Sequence, residues 1–398
     1  MRRYDIILYG ATGFTGKHAV TYFKEQAPIS VRWAIAGRNE KKLHQLKLEL
    51  NLSVDILVAD ALNAEEIDTL VQQTDVFLTT AGPYALYGSN IIGSCAQHGV
   101  HYVDITGEAP WVRDMLDQHG EVAKQSGAKI IPFCGFDSIP ADLGIWSLQQ
   151  YMRTTWQTEL TKADGYYTLG KGGLNGGTLL SALNMLEQGE AKRLGNPKLL
   201  TKDLQHRNFI PKIKRRWRNH YAEDIKRWVY PFFMADINTK VVYRSVGLAA
   251  EYALPHPKEF IYQEYHAIGK RIPSMVASLS MVSFAVLGQS KFVRSFAKKM
   301  GPKAGEGPSK ENINEGFFKL RIVGTDNKGN KAMMTMQYPG DAGNKATTCF
   351  LCECALALSV NAAELPQRSG FLTPSIALGN TLFERLNAAE LDINCTSL

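Results

Sequence analysis

The sequence predicts an α/β chain, with a doubly wound parallel sheet in its N-terminal part and a second, α+β domain after it. Three observations carry this expectation. Short Val/Ile/Leu-rich runs alternate with helical patterns as far as Gln150. A glycine-rich turn follows the first of these runs and opens the first helical pattern. Beyond Gln150 the rhythm changes, and apolar runs become joined by short turns rather than by helices. Repeated strand–helix units imply right-handed crossovers and parallel strands, whereas hairpins imply antiparallel ones.

Strands are expected at Tyr4–Tyr9, Val31–Gly37, Val54–Ala59, Val76–Thr80, Tyr102–Ile105 and Lys129–Cys134. These runs scarcely alternate, as befits strands buried on both faces. Asn39 precedes EKKLHQLKLEL and Asn63 precedes AEEIDTLVQQ, so each helix begins with a capping side chain and acids in its first turn. In the second half, KGGLNGGTLLSALNMLEQ reads as a glycine-rich turn and a helix. FFKLRIVGTDNKGNKAMMTMQYPG reads as two strands joined at Asn327–Asn330, and a helix is expected around Ala346–Ala363. A last helix, NTLFERLNAAEL, follows SGFLTPSIALG. The expected division is 1–150, a mixed α+β domain at 151–364, and a tail at 365–398 that returns to the first domain.

The turn after the first strand is Gly10-Ala11-Thr12-Gly13-Phe14-Thr15-Gly16. Gly10 permits the tight turn, Gly13 lets backbone N–H groups approach a pyrophosphate, and Gly16 allows close helix–strand packing. Phosphates then rest at the helix N-terminus, where unpaired N–H groups and the helix dipole attract anions. Strand, turn and helix together predict a Rossmann-type dinucleotide domain. The second strand ends in Ala36-Gly37-Arg38, without the acid that binds the ribose 2′-hydroxyl of NAD. Arg38 can instead pair with a 2′-phosphate, so NADP(H) is the expected cofactor. Asp60, at the end of the third strand, fits either an adenine contact or a turn.

Ligands of doubly wound sheets bind beyond the carboxyl ends of the strands. There the fourth strand runs into Ala81, Gly82 and Pro83, expected to pack the cofactor, and into Tyr84 and Tyr87, which could donate a proton or pack as aromatics. The sixth runs into Asp137 and Ser138, which could polarise a substrate or cap the next helix. Tyr167 and Lys171 have the spacing of a helical Tyr–Lys pair, but Gly170, Gly172 and Gly173 break any helix there.

The chain has 398 residues and a formal charge of +7. Residues 192–227 hold twelve basic residues against Asp203, Glu223 and Asp224, so the excess is concentrated there. That segment reads as a solvated loop or as a docking surface for an acidic carrier protein or an anionic membrane. The uncharged stretch Ile272–Ser290 reads as a buried helix, with an interfacial helix as the second reading. Cys349, Cys352 and Cys354 lie in an apolar helical pattern and read as structural thiols, so no metal site is expected. The chain starts almost directly with a strand, so cytoplasmic residence is expected, and the basic and uncharged segments add peripheral membrane contact as a reading. Nothing in the sequence points to nucleic acid, and a homodimer is compatible with it.

GATGFTG, AGR, TTAGPYALYG and GFDSIPADLG together resemble the cofactor-domain blocks of the saccharopine dehydrogenase-like oxidoreductases, a family that includes trans-acting enoyl reductases of mycobacterial lipid synthesis. GGLNGGTLLSALNMLE, VYPFFMADINTKVVYRS and GFLTPSIALGNTLFERL extend the resemblance over nearly the whole chain, and GDAGNKAT at 340–347 departs from it. The resemblance implies an NADP-type Rossmann domain, a second mixed domain, and redox chemistry on a lipid-linked or acyl substrate. The first expectation is reduction of an enoyl or other activated double bond. The alternatives are saccharopine-type amine or imine redox chemistry and a non-catalytic nucleotide-binding protein associated with membrane or lipid.

Overall fold

A computed structural model of the chain describes residues 2–173, 175–205, 207–211, 216, 218–303 and 305–398, with the backbone alone at 191, 282 and 284–286. The first part alternates β1 (Tyr4–Tyr9), α1 (Phe14–Gln26), β2 (Trp33–Gly37), α2 (Glu40–Glu49), β3 (Asp55–Val58), α3 (Ala64–Val71) and β4 (Thr74–Thr79). It continues with α4 (Tyr84–Tyr87), α5 (Ser89–His98), β5 (His101–Asp104), α6 (Ala109–Ser126), β6 (Lys129–Ile131) and α7 (Ile139–Trp156). The expected caps form: Asn39 accepts from the amide of Lys42, and Asn63 from those of Glu65 and Glu66. The sixth strand stops earlier than expected because Pro132 lacks an N–H and Phe133 turns to φ +67°.

Next come β7 (Leu160–Leu169), α8 (Gly176–Glu187), α9 (Ala191–Leu194), β8 (His220–Ala222), β9 (Arg227–Pro231), α10 (Ala235–Glu251) and β10 (Ile261–Ala267). They are followed by α11 (Arg271–Leu287), α12 (Lys291–Met300), α13 (Lys310–Glu315), β11 (Phe317–Asp326) and β12 (Lys331–Pro339). The chain ends with α14 (Thr347–Val360), β13 (Gly370–Phe371), α15 (Pro374–Ala388) and β14 (Asp392–Ser397).

Two seven-stranded sheets result. The first has the order β13-β6-β5-β4-β1-β2-β3 and is parallel throughout. The second, β14-β12-β11-β7-β10-β9-β8, is antiparallel except where β7 meets β10. The chain therefore has the doubly wound sheet and mixed second domain that the sequence predicts.

Helix α7 joins the layers. It leaves the carboxyl end of β6 and packs on β11 and β12 of the second sheet. A Cβ on Gly144 would stand 2.4 Å from Met334 Cε and 2.7 Å from Ile322 Cδ1, so the helix lies close against these two side chains. The loop before α7, which carries Asp137 and Ser138, is thereby held between the two sheets.

The domain division differs from the expected one at the C-terminus. Helix α14 lies on the first sheet, where Tyr22 of α1 donates to Glu353 Oε1 at 2.6 Å. In the tail, β13 joins β6 as expected, but β14 pairs antiparallel with β12, Met334 opposite Cys395. This corrects a simple return of residues 365–398 to the first domain. Pairing β14 covers a β12 edge whose backbone groups would otherwise be unpaired.

Candidate functional site

A cavity of about 580 Å³ opens at the carboxyl ends of β1, β2, β4 and β5 and is closed on its far side by the second domain. Its size is within the ~300–1,000 Å³ usual for small-molecule and cofactor sites. Gly10, Thr12, Gly13, Phe14 and Thr15 line one end, with Arg38 and Asp60 beside them.

Two of the three glycines, Gly10 and Gly16, stand where a side chain would meet backbone. Gly10 adopts φ +83°, and a Cβ there would lie 2.9 Å from the amide nitrogen of Ala81. A Cβ on Gly16 would come 2.1 Å from the carbonyl oxygen of Gly10, so α1 presses directly on the turn. Gly13 occupies the N-cap position, and α1 begins with no side-chain cap and no acid in its first turn. The next two helices have both. The first amides of α1 are thus left to an anion from outside the chain, which fits a dinucleotide pyrophosphate. Ala11 is fully buried, and neither it nor Gly16 is among the lining residues.

Arg38 is exposed at the end of β2, its guanidinium carbon 5.9 Å from the centre of the Tyr87 ring. Glu40, the nearest acid in sequence, stands instead 3.8 Å from His44. Asp60 faces the cavity while its Oδ1 accepts from the amide of Leu62 at 3.0 Å, so it holds its own turn as well. Ala81 and Gly82 line the wall, and Pro83 is buried behind them at the start of α4.

The four residues expected to take part in chemistry separate. Tyr84 is buried; its hydroxyl donates to the carbonyl of Thr79 at 3.2 Å and accepts from the amide of Ile105 at 3.4 Å. It packs and braces the strand ends rather than offering a free proton donor. Tyr87 lines the cavity beside Arg38, where the 2′-phosphate is expected. Ser138 is fully buried behind the wall: it stands at the N-cap position of α7 without a side-chain cap bond, its Oγ donating to Asn238 Oδ1 at 3.5 Å. Asp137 alone of the pair faces the cavity, and burial pushes its carboxyl up to about 6.

Behind Asp137 is a buried polar network that sequence reasoning missed. Glu264 of β10 accepts from the hydroxyls of Tyr262 at 2.8 Å and Tyr167 at 3.2 Å, and from Asn238 Nδ2 at 2.9 Å. Burial, with a smaller contribution from the neighbouring Asp137 carboxylate, raises the Glu264 carboxyl to about 8. Tyr167, considered in sequence only as a partner of Lys171, is part of β7 and belongs to this network; Lys171 pairs with Glu315 at 2.6 Å. A second buried acid, Glu108, fixes the loop after β4 by accepting from the amides of Tyr84 at 2.8 Å and Ala85 at 3.0 Å.

The opposite wall is mostly apolar, with Leu169, Leu180, Met185, Phe233, Met234 and Phe317 supplied by the second domain. Of the basic segment 192–227, Lys212, Lys214 and Arg215 lie outside the described residues, while Arg193 pairs with Asp114 and Glu190. Cys349, Cys352 and Cys354 are buried in α14, and burial pushes the Cys349 thiol up to about 12. Among the described residues no group of three His, Cys, Asp or Glu side chains could hold a metal ion, and no helix is long and apolar enough to cross a membrane.

Residues 6–131 match the saccharopine dehydrogenase NADP-binding domain. The whole chain is 34% identical, over 419 aligned residues, to a Mycobacterium tuberculosis protein provisionally named a trans-acting enoyl reductase, the alignment covering 100% of this chain and 98% of the relative. It is 31% identical to the trans-acting enoyl reductase of Mycobacterium leprae, covering 100% of this chain and 99% of that one. Among solved structures, apo saccharopine dehydrogenase (L-Glu forming) from Saccharomyces cerevisiae superposes with a TM-score of 0.59, covering 99% of this chain and 100% of that one. At 11% identity that likeness is one of fold.

Proposed function

Because the chain belongs to the saccharopine dehydrogenase-like family of NADP-binding oxidoreductases, we propose that it uses NADPH to reduce an activated carbon–carbon double bond in a lipid-linked acyl substrate, such as an enoyl thioester. One observation carries this reading: a single cavity runs from the uncapped start of α1 to an apolar wall built by the second domain. The names of the full-length relatives agree with it.

The amides that open α1 would hold the pyrophosphate, and Arg38 the 2′-phosphate. When bound, the cofactor supplies the hydride that the β-carbon of the substrate receives. The chain's own residues do the rest. Ala81 and Gly82 shape the wall that orients the reacting face, with Glu108 fixing their loop. Leu180, Met185 and Phe233 exclude water and receive the acyl part. Asp137, raised to about 6, retains a protonated fraction near neutrality and delivers a proton to the α-carbon.

The amine or imine reading has less support. A saccharopine-like substrate carries several carboxylates, and the only cations among the described lining residues are Arg38 and Lys171. The first is taken by the expected phosphate and the second by Glu315 at 2.6 Å. The test is NADPH oxidation with a long-chain 2-enoyl thioester against saccharopine-pathway substrates. Turnover of the thioester supports the reading. Turnover of the amine substrates alone overturns it, and NADPH binding without turnover of either would point to the non-catalytic alternative.

A further inference from the structure

Among their described side chains, α11 and α12 turn large apolar groups outward and polar ones inward. On α11 the side turned to the protein carries Ser274 and Ser278, both buried, while Ile272, Met275, Val276, Leu279 and Leu287 face solvent. On α12 the buried side chain is Arg294, whose guanidinium donates to the carbonyls of Gly288 and Gln289 and so ties the turn between the helices. Phe292, Phe296 and Met300, spaced one helical turn apart, are 81%, 59% and 69% exposed. A water-facing helix places its apolar stripe inward, so this pair presents the wrong face to water and the right one to hydrocarbon. Exposed Lys270, Arg271, Lys291, Lys299 and Lys303 accompany the apolar faces, and no acidic residue occurs between 270 and 303.

We propose that the α11–α12 hairpin is an interfacial docking element for an anionic lipid bilayer: its outward apolar side chains enter the headgroup–acyl boundary and its lysines meet lipid phosphates. An anionic bilayer suits both halves of the surface, because the apolar side chains need a hydrocarbon phase and the basic ones a dense negative plane. Neither helix is required to cross the bilayer. The hairpin is fixed to the cavity wall. Lys298 pairs with Glu187 of α8 at 3.0 Å, and a Cβ on Gly301 would lie 2.2 Å from Leu179 of the same helix. Docking there brings α8, which contributes Leu180 and Met185 to the cavity, close to the lipid surface. The inference rests on these exposed faces, not on the reductase reading, which it would complement by placing the site where acyl substrates reside.

Flotation of the full-length protein with phosphatidylcholine vesicles, with and without phosphatidylglycerol and at low and high salt, tests it. The wild type is expected to float with the anionic vesicles at low salt and to release as salt rises. Phe292→Ser with Phe296→Ser should lower partitioning by about tenfold or more, since each removes a large apolar group that the bilayer would otherwise bury. Lys291→Glu with Lys299→Glu should abolish the preference for phosphatidylglycerol. Unchanged NADPH affinity checks that the variants are folded, and turnover of a short, soluble enoyl thioester without vesicles reports on the reductase reading separately. Absence of the wild type from every vesicle fraction overturns the proposal, as does undiminished binding by the double serine variant. Retention on an acidic acyl carrier protein but on no vesicle also overturns it, by assigning the basic residues to a protein partner.

Discussion

The guanidinium of Arg38 lies over the ring of Tyr87, 5.9 Å from its centre, at the carboxyl edge of β2. The pair forms an open, cationic corner beside Asp60, where a Rossmann-type fold places the adenosine ribose. Arg38→Ala should weaken NADPH binding by about 1.5–3 kcal/mol, the worth of a hydrogen bond to a charged group, and leave NADH nearly unchanged. Calorimetric titration of both cofactors checks this. Equal losses would make Arg38 structural.

Gly13 and Gly16 should respond differently to substitution. At Gly13 φ is −70°, and a Cβ would meet only the Gly10 carbonyl oxygen, at 3.3 Å. The backbone therefore tolerates a side chain, but the side chain would enter the space the pyrophosphate needs. Gly13→Val is expected to retain the fold and lose NADPH affinity by at least about tenfold, ~1.4 kcal/mol. Gly16→Ala places its Cβ 2.1 Å from backbone and should lower thermal stability instead, by about 1–3 kcal/mol. A folded Gly13→Val protein with wild-type affinity would contradict the assigned site.

Asp137 supplies a pH prediction. Its carboxyl is raised from 3.8 to about 6, so the protonated, donating form predominates below that pH and declines above it. The turnover number should fall as pH rises through about 6, and Asp137→Asn should lower it and flatten that fall without altering NADPH affinity. An unchanged profile in the variant would remove Asp137 from the reaction.

Glu264 makes a prediction about stability. Its carboxyl is raised from 4.5 to about 8, so the folded state holds the proton more tightly than the unfolded one. The associated stability is complete below pH 4.5 and is lost as pH rises through about 8. Glu264→Gln, isosteric and always neutral, should remove that loss, leaving a Tm that declines less than the wild type's on the alkaline side. Parallel declines would show that Glu264 is not the group responsible.

Legibility in the sequence followed the range of the physical signal. The first strand and the glycine turn were readable because both are local: an unbroken apolar run, then residues required by a positive φ and a close approach. Strand β7 was not, because LTKADGYYTL mixes Asp164 and Gly165 into a half-apolar pattern that only its neighbours β10 and β11 complete. The Glu264 network joins Tyr167, Asn238 and Glu264 from three distant segments, and no spacing rule brings them together. Asn238 was within a stretch singled out by resemblance, MADINTK, but nothing local marked its side chain as buried. Strand β14 is short and polar, DINCTS, and only the open edge of β12 makes it a strand. The Ile272–Ser290 stretch reads as a buried helix in sequence because composition does not reveal which face of an apolar helix turns inward.

In the proposed reaction one cavity holds both NADPH and the double bond of an acyl substrate. Turnover of a long-chain 2-enoyl thioester with NADPH deuterated on the transferable face of nicotinamide C4, followed by mass spectrometry of the product, tests it most directly. The expected product is a saturated thioester carrying one deuterium, on the β-carbon. Deuterium on a carbon bonded to nitrogen in a parallel reaction with saccharopine-pathway substrates, with the thioester recovered unreduced, would contradict it.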